Sequence, residues 1–115
     1  MKRIGILGGT FNPVHLGHLV IGQAVCEQLK LDKVIFVPSN RPPHKIVKKI
    51  ASSKDRYNML RLSVKGNPNF EVSDFEITRE GKSFSINTVS HFRKVYPLRT
   101  KFFFIIGSDL LPTLH

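Results

Sequence analysis

The run Arg3-Ile4-Gly5-Ile6-Leu7, ending in Gly8-Gly9-Thr10, stands almost at the start of the chain. Apolar residues without polar alternation are what a strand buried on both faces of a parallel sheet shows, and the glycines that stop it mark a tight strand-to-helix loop. After Pro13, the residues Leu16, Leu19, Val20, Ala24, Val25 and Leu29 recur at three- and four-residue spacing, which predicts an amphipathic helix reaching about Lys30. Strand, glycine loop and helix together make the first half of a βαβ unit.

Further along, Val34 to Val37 predicts a second buried strand, closed by Pro38-Ser39-Asn40. Pro42-Pro43 can neither donate ladder hydrogen bonds nor sit inside a helix, so a loop follows to about Ser52. Ser53 to about Lys65 predicts a second helix with Tyr57, Leu60, Leu62 and Val64 as apolar positions, stopped by Gly66-Asn67-Pro68. Phe70 and Val72, then Phe75 and Ile77, alternate with polar residues as half-buried strands do, and Glu80-Gly81-Lys82-Ser83 supplies a turn. Ser85 suits the N-cap of a third helix running to about Tyr96, and Lys101 to Ile106 reads as a central strand. Alternating strands and helices predict the α/β class: a Rossmann-like, doubly wound parallel sheet with right-handed crossovers, residues 1–115 forming one domain. Too little chain follows Gly107-Ser108-Asp109 for another crossover, so the sequence is expected to be the N-terminal part of a domain that continues.

Composition sets outer limits. With 41% hydrophobic and 23% charged residues the chain is neither a disordered nor a fibrous sequence. Eighteen Lys plus Arg against eight Asp plus Glu give a net charge of +10, which attracts anions without choosing among nucleotides, nucleic acids and acidic lipids. The single cysteine, Cys26, cannot form an internal disulfide and suits a buried apolar position in a cytoplasmic protein. The apolar start dies at Gly8, far short of a signal peptide or membrane span, so no membrane partner is expected. The basic residues are scattered and no aromatic stripe interleaves them, so no nucleic-acid partner is expected either.

In a doubly wound sheet, ligands lie beyond the carboxyl ends of the strands, so the loop from Gly8 to Asn12 and the loop after Ile106 should face one crevice. Gly8 and Gly9 let backbone N–H groups approach phosphate oxygens, and the helix start beyond them adds its positive dipole end. Two glycines after a strand also occur in turns that bind nothing, so the weight rests on their neighbours. His15 and His18 stand three apart at a helix start, which puts both imidazoles on one face toward the loop as donors to phosphoryl oxygens. Zinc would need two further ligands, and no pair with metal-ligand spacing is present, so no protein-held metal is expected. Lys45 is a cation on a proline-stiffened loop, suited to a phosphate or carboxylate, and Ser85 with the N–H groups of a helix start suits an anionic carboxylate. Asp109 can accept from ribose hydroxyls or cap the next helix; both readings stand.

The stretch Gly8-Gly9-Thr10-Phe11-Asn12-Pro13-Val14-His15-Leu16-Gly17-His18 resembles the phosphate-binding signature of the adenylyltransferase and cytidylyltransferase superfamily, whose hallmark is a His-x-Gly-His run. Pro42-Pro43-His44-Lys45 and the segment Arg79 to Thr88 resemble the acceptor-binding motifs of nicotinate mononucleotide adenylyltransferases, and Phe104 to Asp109 resembles their adenosine-binding strand end. Asn12, Ser85 and Asn87 depart from the Asp, Thr and Asp usual there. The resemblance implies an enzyme of NAD biosynthesis that transfers the adenylyl group of ATP to nicotinate mononucleotide, giving deamido-NAD and pyrophosphate. It implies catalytic roles for His15 and His18, with Gly8, Gly9, Thr10, Phe11, Gly107 and Asp109 completing the ATP site. Asn40, His44, Lys45 and Ser85 would hold the acceptor, and Mg²⁺ would enter on the ATP phosphates. Family members continue with an aromatic residue that stacks on the pyridine and an Arg that grips ATP phosphates. The other expectations are a non-catalytic nucleotide-binding fragment, a related adenylyltransferase with a different phosphate acceptor, and, through an open sheet edge, a homo-oligomer.

Overall fold

The computed structural model describes residues 2–9, 11, 16–39, 52–77 and 86–106. The order of elements is β1 (Arg3–Gly9), α1 (Leu16–Gln28), β2 (Lys33–Pro38), α2 (Ser53–Val64), β3 (Phe70–Val72), α3 (Ile86–Val95) and β4 (Lys101–Ile106). The strands form a four-stranded sheet in the order β3-β2-β1-β4, every neighbour parallel. The chain winds outward from β1 through β2 to β3 and then crosses to β4 on the other side of β1. The strand order therefore reverses between β1 and β4, the position at which doubly wound sheets open a crevice.

Alternation along the strands divides the core between the two faces. Leu7, Val34 and Phe36 pack with Cys26 of α1 and with Leu60 and Val64 of α2. Ile4, Ile6, Ile35 and Val37 point the other way and pack with Phe92 of α3. Helices thus cover both faces, which is why β1 and β2 carry apolar side chains at successive positions.

The helices begin and end for local reasons. The Ser52 hydroxyl caps α2 by accepting from the Asp55 N–H at 3.1 Å. At the end of α1, Leu31 N–H donates to Cys26 O at 2.9 Å and Lys30 N–H to Glu27 O at 3.3 Å, with Lys30 at φ 54°. This is a Schellman ending with lysine in the left-handed position glycine usually takes, and it stops the helix before Lys30.

Four expectations change. Phe75 and Ile77 form a turn, not a strand: the Ser73 hydroxyl accepts from Phe75 N–H and Ile77 N–H donates to Asp74 O, local bonds that compete with a ladder. Leu62 is 73% exposed; the buried stripe of α2 is Arg56, Leu60 and Val64, at strict four-residue spacing. In α1 the buried stripe is His18, Gly22 and Cys26, while Leu16 and Val20 face solvent. A Cβ on Gly22 would lie 2.9 Å from Phe36 Cζ and 3.3 Å from Phe70 Cζ, so the helix packs closest where it has no side chain. Lastly, Gly8 and Gly9, expected to open a loop, complete β1 instead: both pair with β2, and Gly8 pairs with β4 as well.

Candidate active site

The carboxyl ends of β1, β2 and β4 finish side by side. Gly8 stands opposite Val37 on one side and Ile106 on the other, and Gly9 stands opposite Pro38. Ser39 N–H then donates to Gly9 O at 2.9 Å, carrying the pairing one residue past the strand. The glycine pair and the end of β4 therefore share one edge of the sheet.

Phe11 follows in the left-handed region at φ 52°, uncommon and strained for an aromatic residue. Its ring is buried and meets His18 edge-on at 4.9 Å between centroids and Phe36 at 5.9 Å; Phe36 in turn meets Phe70 at 5.0 Å. His18 lies in the first turns of α1 and is only 3% exposed. Phe11 thus wedges between β2 and α1 and sets one wall against the imidazole. The backbone strain is offset by burial of the ring, and the contact holds His18 against Phe11.

Sequence reasoning missed Arg56. Its guanidinium, on the inward stripe of α2 and 1% exposed, donates to Ser39 O at 2.7 Å and to the Ser53 hydroxyl at 3.1 Å. Desolvation lowers its pKa from the ordinary value. The contact ties α2 to the carboxyl end of β2, immediately before Asn40. The clue was present in the sequence, an arginine at the position where the 56-60-64 spacing calls for an apolar residue. Beside it the buried Ser39 hydroxyl has no hydrogen-bond partner.

Of the residues singled out from the sequence, Gly8 and Gly9 end β1 at this edge, and Phe11, two residues on, packs on His18. Thr10, His15, Asn40, His44, Lys45, Ser85, Gly107 and Asp109 lie outside the described residues. Cys26 is buried, and burial, helped by the charges of Glu27 and Asp32, raises its pKa, so it stays a thiol. Among the described residues no group of three His, Cys, Asp or Glu could hold a metal ion, and no helix is long and apolar enough to cross a membrane.

A parallel sheet wound on both faces, with a glycine pair ending β1 where the strand order reverses and a buried histidine packed on Phe11 nearby in the chain, defines an α/β protein of the doubly wound class. The chain belongs to the cytidylyltransferase-like family, which it matches over residues 6–115. It is 51% identical over 107 residues to a probable nicotinate-nucleotide adenylyltransferase of Thermoanaerobacter sp. (strain X514), covering 93% of this chain and 51% of that protein. It is 44% identical over 115 residues to a probable nicotinate-nucleotide adenylyltransferase of Clostridium tetani, covering 100% of this chain and 57% of that one. The chain therefore spans about half the length of the curated relatives it matches. Among solved structures, the Plasmodium falciparum nicotinic acid mononucleotide adenylyltransferase complexed with NaAD superposes with a TM-score of 0.72 at 18% identity, covering 98% of this chain and 55% of that one. The fold is that of these nucleotidyltransferases.

Proposed function

We propose that this chain is the nucleotide-binding part of an enzyme that transfers the adenylyl group of ATP to nicotinate mononucleotide, releasing pyrophosphate and forming deamido-NAD. The observation that carries the reading is the shared edge of Gly8, Gly9 and Ile106 with His18 held behind it. The names of the Thermoanaerobacter and Clostridium relatives supply the choice of acceptor.

The chemistry asks little of a protein beyond placement. An oxygen of the acceptor's phosphate attacks the α-phosphorus of ATP, the bond from that phosphorus to the bridging oxygen breaks, and pyrophosphate leaves. The attacking phosphate is already an anion, so no general base is required. Gly8 and Gly9, ending β1 without side chains, would let the phosphates approach the edge of the sheet, and the start of α1 would favour their negative charge. His18, joined by His15, would donate to the phosphoryl oxygens as charge builds in the transition state. Thr10, Phe11, Gly107 and Asp109 would complete the ATP site, and Asn40, His44, Lys45 and Ser85 would take the acceptor. Magnesium is the expected ion, brought in on the triphosphate, where it would supply positive charge to offset that of the phosphates. A buried lone thiol suits a reducing cytoplasm.

The test is pyrophosphate release by the intact protein with ATP and Mg²⁺, offering nicotinate mononucleotide, nicotinamide mononucleotide and phosphopantetheine separately. Release with the nicotinate form is the expected result. Release with phosphopantetheine alone would assign a different acceptor. ATP binding without release would favour a nucleotide-binding module.

A further inference from the structure

Two contacts join the turn after β3 to the start of α3. Glu76, 1% exposed, accepts a hydrogen bond from the hydroxyl of Thr88, which is fully buried. One residue earlier, the Phe75 ring stacks on His91 at 4.1 Å with 14° between the planes. Thr88 and His91 stand three apart on α3, hence on one face, and Phe92 beside them anchors the helix to the sheet.

An apolar anchor would hold a helix against a sheet more cheaply, because burying a carboxylate costs several kcal/mol unless it is well paired. A hydrogen bond does something that apolar contact does not: it sets both the rotation and the axial position of the helix. From this geometry we infer that Glu76 and Thr88 are positioning residues that hold the first turn of α3 at the carboxyl edge of the sheet, where the acceptor's carboxylate is recognised. The inference rests on the proposed function for the identity and the place of that ligand. Neither residue touches the reacting phosphates; each acts through the backbone of α3.

The experiment uses Thr88→Val and Thr88→Ser in the intact protein, with two readouts. In steady-state kinetics Thr88→Val raises the KM for nicotinate mononucleotide about tenfold, the worth of one hydrogen bond to a charged group, while the KM for ATP stays within about twofold. Thr88→Ser keeps the hydroxyl and restores the parent value to within about threefold. In amide exchange, Thr88→Val speeds Val89, Ser90 and His91 about tenfold and leaves the amides of α1 unchanged. A KM for ATP that rises together with that for the acceptor would overturn the inference, as would valine and serine variants that behave alike. If the parent transfers no adenylyl group, the proposed function fails and the exchange readout alone decides: selective acceleration in α3 sustains the positioning role, and an unchanged or uniform exchange pattern removes it.

Discussion

The two ends of the sheet are built differently. At the amino ends most polar groups close on one another, although the Thr100 hydroxyl is buried without a partner and Lys30 stands at φ 54°. Arg3 N–H donates to the Asp32 carboxylate at 2.7 Å, the Arg3 guanidinium donates to Leu29 O, and Lys33 pairs with Glu71 at 3.0 Å while lying over the Tyr96 ring. At the carboxyl ends stand a glycine pair, a phenylalanine in a strained backbone conformation, a buried histidine, a buried arginine and a serine hydroxyl with no partner. The carboxyl ends instead bring glycines, aromatic rings and buried polar side chains to the place where the strand order reverses, the position at which a doubly wound sheet accepts a ligand.

The contrast breaks most sharply at His18. His18→Ala should lower turnover of the intact enzyme by about a hundredfold, the effect of removing one preorganised donor, while the sheet stays folded. Steady-state pyrophosphate release alongside thermal unfolding checks this, and turnover within about threefold of the parent would remove His18 from the chemistry.

Gly22→Ala probes the link between frame and site. The new methyl would press on Phe36 and Phe70. Overpacking costs about 1–3 kcal/mol, and alanine's better helix propensity offsets about 1 kcal/mol. A net loss of about 1 kcal/mol should lower the melting temperature by roughly 5 °C. Because Phe36 also supports Phe11, turnover should fall as well. An equally stable, equally active variant would show that the aromatic ladder can yield.

The smallest effect belongs to the amino ends. Lys33→Met should cost under about 1 kcal/mol, since the pair is partly exposed and screened, and should leave turnover unchanged. Burial alone would lower the Lys33 pKa, but its hydrogen bond to Glu71, that carboxylate's charge and Tyr96 together raise it above 10.5. A raised lysine pKa means that the pair's contribution is complete below about pH 10.5 and fades as pH climbs through the higher folded value. Parent and variant should therefore converge in stability under strongly alkaline conditions, as chemical denaturation at several pH values would show.

Much of this was legible because it rests on local pattern. β1, β2, α2 and β4 lie where the apolar runs and their Gly, Pro and Ser stops put them, to within one or two residues, and of the motif's residues Phe11 packs on His18. What misled was tertiary packing. The inward stripe of α1 follows a glycine and a histidine rather than its leucines, because the closest approach to Phe36 needs no side chain. Asp74 and Ser73 turned the expected fourth run into a turn through bonds that apolar alternation does not register. Arg56 escaped because a buried guanidinium is legible only once its carbonyl partner at Ser39 is in place.

The most direct test of the central claim, that nucleotide binds at the carboxyl ends of β1 and β4, is an amide NMR titration of the protein with Mg²⁺ and an ATP analogue that resists transfer. Shifts concentrated at Gly8, Gly9, Phe11, His18 and Ile106, with Asp32, Lys33 and Thr100 unmoved, are the predicted result. Shifts centred on Asp32, Lys33 and Thr100, or none at the glycine pair, would contradict it.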